Sequence, residues 1–385
     1  MRFADNRNKI GKYIPTVVFL IFIYGMALWF VFSPKPDYSS SEKRYLQKFP
    51  EVTAEKLLSG EFGSEFETFF ADRFPQRNTW VGLNAYTALA EGNNGASGVY
   101  NCKNGYLINK PVSTENNLDK NIGAVADFAK SIDTPTTVML VPSTGYIVDD
   151  VLPTFHDKYN DDEDISKISS TLSKDKIGFV DLRERFKSEY KNGSQLYYKT
   201  DHHWTTKGAY TGYQELCKAL GITPIDDSTL KKDSYPDFYG TTYSSSGFWL
   251  TPPDNIEIWN NPKNSDRNIS VKITEGANIK TSGSMYFTDH LKEDDKYPVF
   301  IDGNHALTEI TNTNAKNGTI LLIKDSFSHS LAPFLAENYS KVVLVDLRYY
   351  KESVSDLVTT YNPEQVVVLY GIDNLATDTD IVWLK

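Results

Sequence analysis

Cysteine is nearly absent: Cys102 and Cys217 are the only two in 385 residues. Two isolated thiols have no metal-site spacing. A disulfide between them is an open alternative if the chain is exported. Excess positive charge is also lacking, since the formal net charge is −10. An acidic exterior argues against nucleic acid or another polyanion as the main ligand and is compatible with a neutral or partly cationic glycan. No internal repeat occurs, and no segment has the bias of a long disordered tail. The length suffices for one large domain or two modest ones with a full core.

What the chain does have begins with an uncharged, almost wholly apolar run, Ile14 to Phe32. At about 1.5 Å per residue it reaches roughly 28 Å, close to the hydrocarbon thickness of a bilayer. Arg2, Arg7, Lys9 and Lys12 precede it, opposed by Asp5 alone, so the remainder of the chain is more acidic than the whole. Positive charge on the entering side predicts a single-pass anchor at 14–32, a cytoplasmic segment 1–13 and an exported body. A cleaved signal peptide is the rival. The run is long for one, and Phe32-Ser33-Pro34-Lys35 lacks small-residue cleavage chemistry.

Residues 33–97 read as a spacer and a helical segment. Ser33 to Ser41 is rich in Pro and Ser, and Lys43 to Ala90 is mostly helical in pattern. Phe62, Phe66, Phe69 and Phe70 recur at helical spacing as a packing face, and Pro75 ends that helix. From Gly98 the pattern changes. Gly98-Val99-Tyr100 and Tyr106-Leu107-Ile108 flank Lys103-Asn104-Gly105 as a hairpin. Strands are expected at Thr136–Val141, Gly178–Leu182, Thr319–Ile323, Lys341–Val345 and Gln365–Leu369. Helices are expected near Asn116–Lys130, Asp164–Ser173, Thr206–Leu220, Ser328–Tyr339 and Glu352–Tyr361. Continuous β-branched runs separated by helices predict an α/β body over 98–385 with a parallel sheet buried on both faces. One long segment interrupts it, about 222–298, rich in Tyr, Ser, Asn and Pro. It reads as an inserted loop and β region over the edge of the sheet.

Two segments carry the parts of acyl chemistry. Thr200-Asp201-His202-His203-Trp204-Thr205 sets a carboxylate beside two imidazoles, just before a helix. An Asp at i and a His at i+2 can meet through a turn, the carboxylate taking the Nδ1 proton and leaving Nε2 as base. Metal binding and a structural role are the alternatives, although no other His/Cys cluster completes a metal site. Ser326 sits where the apolar run Thr319–Ile323 gives way to Lys324-Asp325-Ser326-Phe327 and then a helix. There a hydroxyl could be exposed to ligand, the helix N-terminus would favour developing negative charge, and the Ser326 N–H could serve an oxyanion. The alternative is that Asp325 or Ser326 only caps the helix. Gly303-Asn304 offers a backbone N–H and a side-chain amide as oxyanion donors, or an ordinary turn. Trp204 is expected to shield the site. His202, Asp325 and His329 flank the reacting groups, and His329, on the helix of Ser326, is poorly placed to take its proton. Ser143, after Thr136–Val141, is a weaker nucleophile candidate and a candidate for lining the pocket.

Together these residues resemble the DHHW family of membrane-anchored bacterial proteins, related to SGNH-hydrolase-like proteins that O-acetylate alginate and other cell-surface polysaccharides. The resemblance runs from Ser41-Glu42-Lys43-Arg44 with Phe49-Pro50, the 62–77 segment and Gly105-Tyr106-Leu107 to Asp201-His202-His203-Trp204. It continues through Phe238-Tyr239-Gly240-Thr241, Gly303-Asn304, Lys324-Asp325-Ser326-Phe327 and Asp346-Leu347-Arg348-Tyr349-Tyr350. It implies a three-layer α/β/α SGNH-like domain with a rearranged motif order, since ordinary SGNH hydrolases place the serine first. It implies Ser326 as nucleophile, His203 as general base (with His202 as the alternative) and Asp201 as its orienter. Neither metal nor organic cofactor is implied. The partners implied are a polysaccharide acceptor and a multi-span membrane O-acyltransferase of the MBOAT type, because an exported enzyme has no cytosolic acetyl-CoA to draw on.

The leading expectation is an extracytoplasmic O-acetyltransferase working through an acetyl-serine, with its catalytic body facing the cell wall. Tyr239, Tyr243, Phe248 and Trp249 are either a glycan platform or the core of the inserted region. A carbohydrate acetyl esterase with the same triad is the first alternative. A non-catalytic glycan-binding or scaffold subunit is the second.

Overall fold

The computed structural model describes residues 2–39, 41–112, 117–265 and 267–384. Asn116, the expected start of one helix, and Ser40 of the spacer lie outside them. The chain divides into two compact units, Met1–Thr87 and Ala88–Lys385.

In the first unit the helix Arg2–Phe32 contains Lys12–Phe32, of mean hydropathy 2.3, the one helix among the described residues long and apolar enough to cross a membrane. Helices Ala54–Ser59 and Glu61–Asp72 follow, and the next helix starts at Arg77, beyond the Pro75 break. The phenylalanine stripe packs largely on itself. Phe62 stacks on Phe66 at 6.1 Å, and Phe69, the buried member, meets Phe49 edge-on at 5.4 Å.

The second unit is built on an eight-stranded sheet. In chain order its strands are β1 (Thr136–Val141), β2 (Gly178–Asp181), β3 (Ile269–Glu275), β4 (Asn278–Ser282), β5 (Leu307–Asn312), β6 (Asn317–Lys324), β7 (Tyr339–Val345) and β8 (Gln365–Gly371). Their spatial order is β4-β3-β5-β7-β6-β8-β1-β2. The five strands from β7 to β2 are mutually parallel. The other three are joined antiparallel, so the parallel sheet expected from the apolar runs is extended at one edge. The sequence explains the difference. β3 alternates buried Ile269, Val271 and Ile273 with more exposed Ser270, Lys272 and Thr274, the pattern of an antiparallel strand rather than of one buried on both faces. β3 and β4 come from the 222–298 segment, which therefore joins the sheet.

Strand periodicity sorts the core into two layers. Met139, Val141, Ile320, Leu322, Val342, Leu344, Val367 and Leu369 point to one face, against helices Thr206–Leu220 and Ser328–Leu335. Val138, Leu140, Leu321, Ile323, Val343, Val345, Val366 and Val368 point to the other, against helices Asn117–Ser131, Asp161–Lys174 and Val354–Tyr361. The result is a three-layer α/β/α body. Val99–Asn101 and Leu107–Asn109 form the expected antiparallel hairpin, turning where Asn104 and Gly105 adopt φ of 58° and 77°. Cys102 and Cys217 are buried and free, each thiol pushed up to about 12 by burial.

Candidate active site

The parallel strands β6, β8 and β1 lie side by side, and the segments leaving their carboxyl ends converge, where an open α/β sheet binds ligands. Beyond β6 the chain turns sharply through Asp325 and Ser326 into the helix Ser328–Leu335. Asp325 fixes this turn. Its N–H donates to Leu369 O at 3.1 Å. Its carboxylate accepts from the Phe327 N–H at 2.9 Å and from the Gly371 N–H and Asn374 Nδ2, both at 2.7 Å. Burial pushes the Asp325 carboxyl up, while the Asn374, Gly371 and Phe327 donors pull it back. Capping and chemistry are thus divided: Asp325 satisfies the backbone, and the Ser326 hydroxyl is left for another partner.

That partner is His203. Its Nε2 lies 2.7 Å from Ser326 Oγ, and its Nδ1 lies 2.5 Å from Asp201 Oδ1. The loop that presents it is held at its neck by backbone bonds from Tyr198 N to His203 O at 3.2 Å and from Thr205 N to Leu196 O at 2.8 Å. Thr205 then caps the next helix by accepting from the Gly208 N–H at 3.1 Å. Asp201 Oδ1 also accepts the His203 N–H at 2.9 Å, so acid and ring are locked into one turn. Asp201 Oδ2 accepts from the Thr241 N–H at 2.7 Å and the Thr241 hydroxyl at 3.1 Å. Gly240 permits this approach: a Cβ there would stand 2.1 Å from Asp201 Cβ. The imidazole is clamped between Tyr297, stacked at 3.9 Å and 10°, and Phe327, edge-on at 5.1 Å. Tyr297 is buried, which pushes its phenol far up. It donates to Ser326 O at 3.2 Å.

The remaining expected residues take distinct places. His202 is tilted against His203 at 3.9 Å, with its Nδ1 2.7 Å from Thr241 Oγ1, so it is His203 that meets the serine. Trp204 is completely buried, and its indole N–H reaches Phe327 O at 3.0 Å and Ser330 Oγ at 2.9 Å. It ties down the helix behind Ser326 and is not a cover facing solvent. His329 Nε2 accepts from the buried Lys324 ammonium at 2.8 Å, which also pairs with Asp346 at 2.8 Å. Burial, then the charge of Lys324, pushes His329 well down. Gly303 has φ +86°. Asn304 is exposed and accepts from Arg348 Nη2 at 2.9 Å, and Arg348 in turn pairs with Asp346. Among the described residues no acceptor is bonded to the Ser326 N–H, which leaves it available to an oxyanion.

Asp201, His202 and His203 also form the one group of described side chains that could hold a metal ion, their ligand atoms lying within 4.8 Å of one another. Both His203 nitrogens are already committed, to Asp201 and to Ser326. As bonded, the group has the geometry that an acid–base relay requires: a carboxylate at Nδ1 and a hydroxyl at Nε2.

Beside it lies a cavity of about 50 Å³ whose wall includes His202, Phe327, Gly371 and Asn374, together with Ser143, Thr242 and Asp373. Ser143 therefore lines a pocket here, with its hydroxyl bound to Asp373 at 3.1 Å. Thr241, Tyr297 and Asn374 were not singled out from sequence. Thr241 was visible only as the end of Phe238-Tyr239-Gly240-Thr241, and Tyr297 carried no signal. Of the insertion's aromatics, Phe248 is fully buried, whereas Tyr239, Tyr243 and Trp249 are partly exposed, with ring spacings of 4.4 and 5.2 Å.

Comparison with known proteins gives this fold and these motifs a family. A DHHW family protein from Eubacterium siraeum superposes with a TM-score of 0.63 at 17% identity, covering 75% of this chain and 95% of that one. Bacillus cereus PatB1, in a structure with a sulfonyl adduct, superposes with a TM-score of 0.61 at 20% identity, covering 74% and 97%. No curated protein matches the sequence. Residues 112–345 match the family described as DHHW protein, and the chain belongs to that family.

Proposed function

We propose that this protein is an extracytoplasmic O-acetyltransferase that modifies a polysaccharide through an acetyl-serine. The observation that carries the reading is the continuous hydrogen-bonded path from Asp201 through His203 to Ser326 Oγ. In the first half-reaction Ser326 Oγ attacks the acetyl carbonyl carbon while its proton passes to His203 Nε2. The leaving group then departs with that proton. In the second, a sugar hydroxyl gives its proton to His203 and attacks the acetyl carbon, and Ser326 Oγ leaves, reprotonated. Asp201 holds the tautomer and stabilises the imidazolium, and the Ser326 N–H serves the oxyanion. Gly303 and Asn304 complete that role in this reading. The apolar helix Lys12–Phe32 acts as the anchor, with the N-terminus cytoplasmic and the body outside. Acetyl groups then reach the site from a multi-span membrane O-acyltransferase, and Tyr239, Tyr243 and Trp249 serve as a platform for sugar rings.

The test uses the full chain in detergent with a chromogenic acetyl ester, with and without an oligosaccharide acceptor. Intact mass is expected to show one added acetyl group, mapped to Ser326. Ser326→Ala is expected to abolish both adduct and turnover while the unfolding midpoint stays near that of the parent. Undiminished turnover in that variant rejects the nucleophile. Release of the acyl group that is indifferent to a bound acceptor assigns an esterase instead.

A further inference from the structure

The cavity beside the relay holds polar groups that acyl transfer, as written above, does not use. Asp373, in the first turn of the helix Ile372–Thr377, accepts the Ser143 hydroxyl at 3.1 Å. The Ser143 N–H donates to Asp161 at 2.7 Å, so one serine bridges two carboxyl groups. Among the described residues neither acid has a cationic partner within ion-pairing distance, and burial raises both carboxyls, Asp161 to about 6 and Asp373 to about 7. Asp161 is buried and Asp373 half-buried, and two neighbouring acids without a counter-charge are an unfavourable arrangement that a bound cation relieves. A second, independent feature lies in the wall of the same cavity. Thr242 lines the cavity and is only 2% exposed, and its hydroxyl has no hydrogen-bond partner among the described residues. Val141, Phe327 and Ile372 complete an apolar wall suited to the carbon that bears the charge.

We infer that this cavity receives a primary ammonium group of the substrate, held on the Asp373 carboxylate with Thr242 Oγ1 as a further acceptor. An ammonium offers three donors, matching a carboxylate and an unpartnered hydroxyl, where a neutral hydroxyl offers one. The inference rests on the proposed acyl-transfer reading of the adjoining serine. The ammonium has two chemical sources: a free amine on an amino sugar of the acceptor, or the α-amine of an aminoacyl group on the donor side.

Equilibrium binding to the full chain in detergent separates these. One arm compares a glucosamine oligosaccharide with its N-acetylated counterpart of equal length. The other compares alanine methyl ester with methyl propionate. High salt screens the general attraction of an acidic surface for cations. One arm is expected to favour the charged ligand by on the order of tenfold or more, as loss of a charge-assisted hydrogen bond implies, and that arm names the source. Asp373→Asn is expected to erase the preference, and Thr242→Val to reduce it. Equal affinities within both arms, or a preference that survives Asp373→Asn in a folded variant, overturn the inference. Acyl adduct formation on Ser326 is scored separately. An adduct without charge preference sinks only the cavity assignment. Charge preference without an adduct supports that assignment and sinks the acyl-transfer reading.

Discussion

Replacing Asp201 by Asn tests the proposed relay at its least tolerant point. The carboxylate is bonded through both oxygens: Oδ1 takes the His203 N–H at 2.9 Å and Nδ1 at 2.5 Å, and Oδ2 takes the Thr241 N–H at 2.7 Å and hydroxyl at 3.1 Å. A carboxamide is nearly isosteric but has one acceptor oxygen and one donor nitrogen. If its oxygen faces His203, its NH2 opposes the Thr241 N–H. If it flips, its NH2 faces Nδ1, the ring proton moves to Nε2, and His203 can no longer accept from Ser326. The first arrangement leaves two donors opposed in a buried site, and the second disables the base. The rate loss expected of a triad given the wrong tautomer is about 10⁴ in kcat, or roughly 5.5 kcal/mol of transition-state stabilisation. The assay is steady-state hydrolysis of a chromogenic acetyl ester by the full chain, with circular dichroism as the check on folding. The fall should lie in kcat with KM little changed, because the carboxylate does not touch the ester. A folded Asp201→Asn variant that retains activity within about tenfold of the parent refutes the tautomer argument, and with it His203 as the base.

Three further outcomes are expected. Gly240→Ala places a Cβ 2.1 Å from Asp201 Cβ and 2.3 Å from its Oδ2. Displacing that carboxylate should cost about 10²-fold in turnover, measured beside an unfolding midpoint to separate misplacement from misfolding. Trp204→Phe removes the donor to Phe327 O and Ser330 Oγ and leaves a gap in a fully buried position. Chemical denaturation should show a loss of about 2–4 kcal/mol. Asp373 has its carboxyl raised by burial, then by Asp161, from the usual 3.8 to about 7, so the folded state binds the proton that the unfolded state has already lost. Stability from this group is therefore present below the unfolded value and drains away as pH rises through the folded one. In urea unfolding across that window, Asp373→Asn should flatten the decline and gain on the parent above it. An unchanged pH slope refutes the assignment.

The parallel half of the fold was legible because its strands are continuous apolar runs, as in Ile320-Leu321-Leu322-Ile323, each followed by a helical pattern. β3 and β4 were hidden in a Tyr/Asn/Ser-rich stretch whose short alternation reads equally as loop, and β5, which pairs with β3, carries Thr308, Glu309 and Asn312 in place of apolar residues. The reacting groups were legible for a different reason. Asp201, His202 and His203 are adjacent in sequence, and Ser326 stands at a strand end, so local chemistry marked both. Thr241 and Tyr297 act only through tertiary proximity, and nothing in a run such as Lys296-Tyr297-Pro298 announces that its ring will stack on an imidazole some 94 positions earlier in the chain. Trp204 was read as a shield from its position beside the histidines. Only packing shows that its indole N–H faces inward, to the helix that follows Ser326.

These contacts assign the insertion a constitutive part in the site. The loop at Asp201 and the turn at Ser326 belong to the parallel-sheet body, yet neither alone fixes the imidazole between them. Thr241 supplies two donors to the outer carboxylate oxygen, and Tyr297 supplies the ring that stacks on His203 and donates to the backbone of Ser326 itself. Asp254, from the same region, accepts the Lys199 N–H at 3.0 Å and both the N–H and hydroxyl of Thr200, at 2.8 and 2.6 Å, and so holds the loop from its other end. An imidazole free to rotate about its side-chain bonds meets a hydroxyl only part of the time; one clamped between two rings and bonded at both nitrogens does not sample the alternatives. The chain order Asp, His, then Ser, with the insertion between the second and third, therefore brings the orienting residues into place from the stretch of sequence that separates the base from its nucleophile.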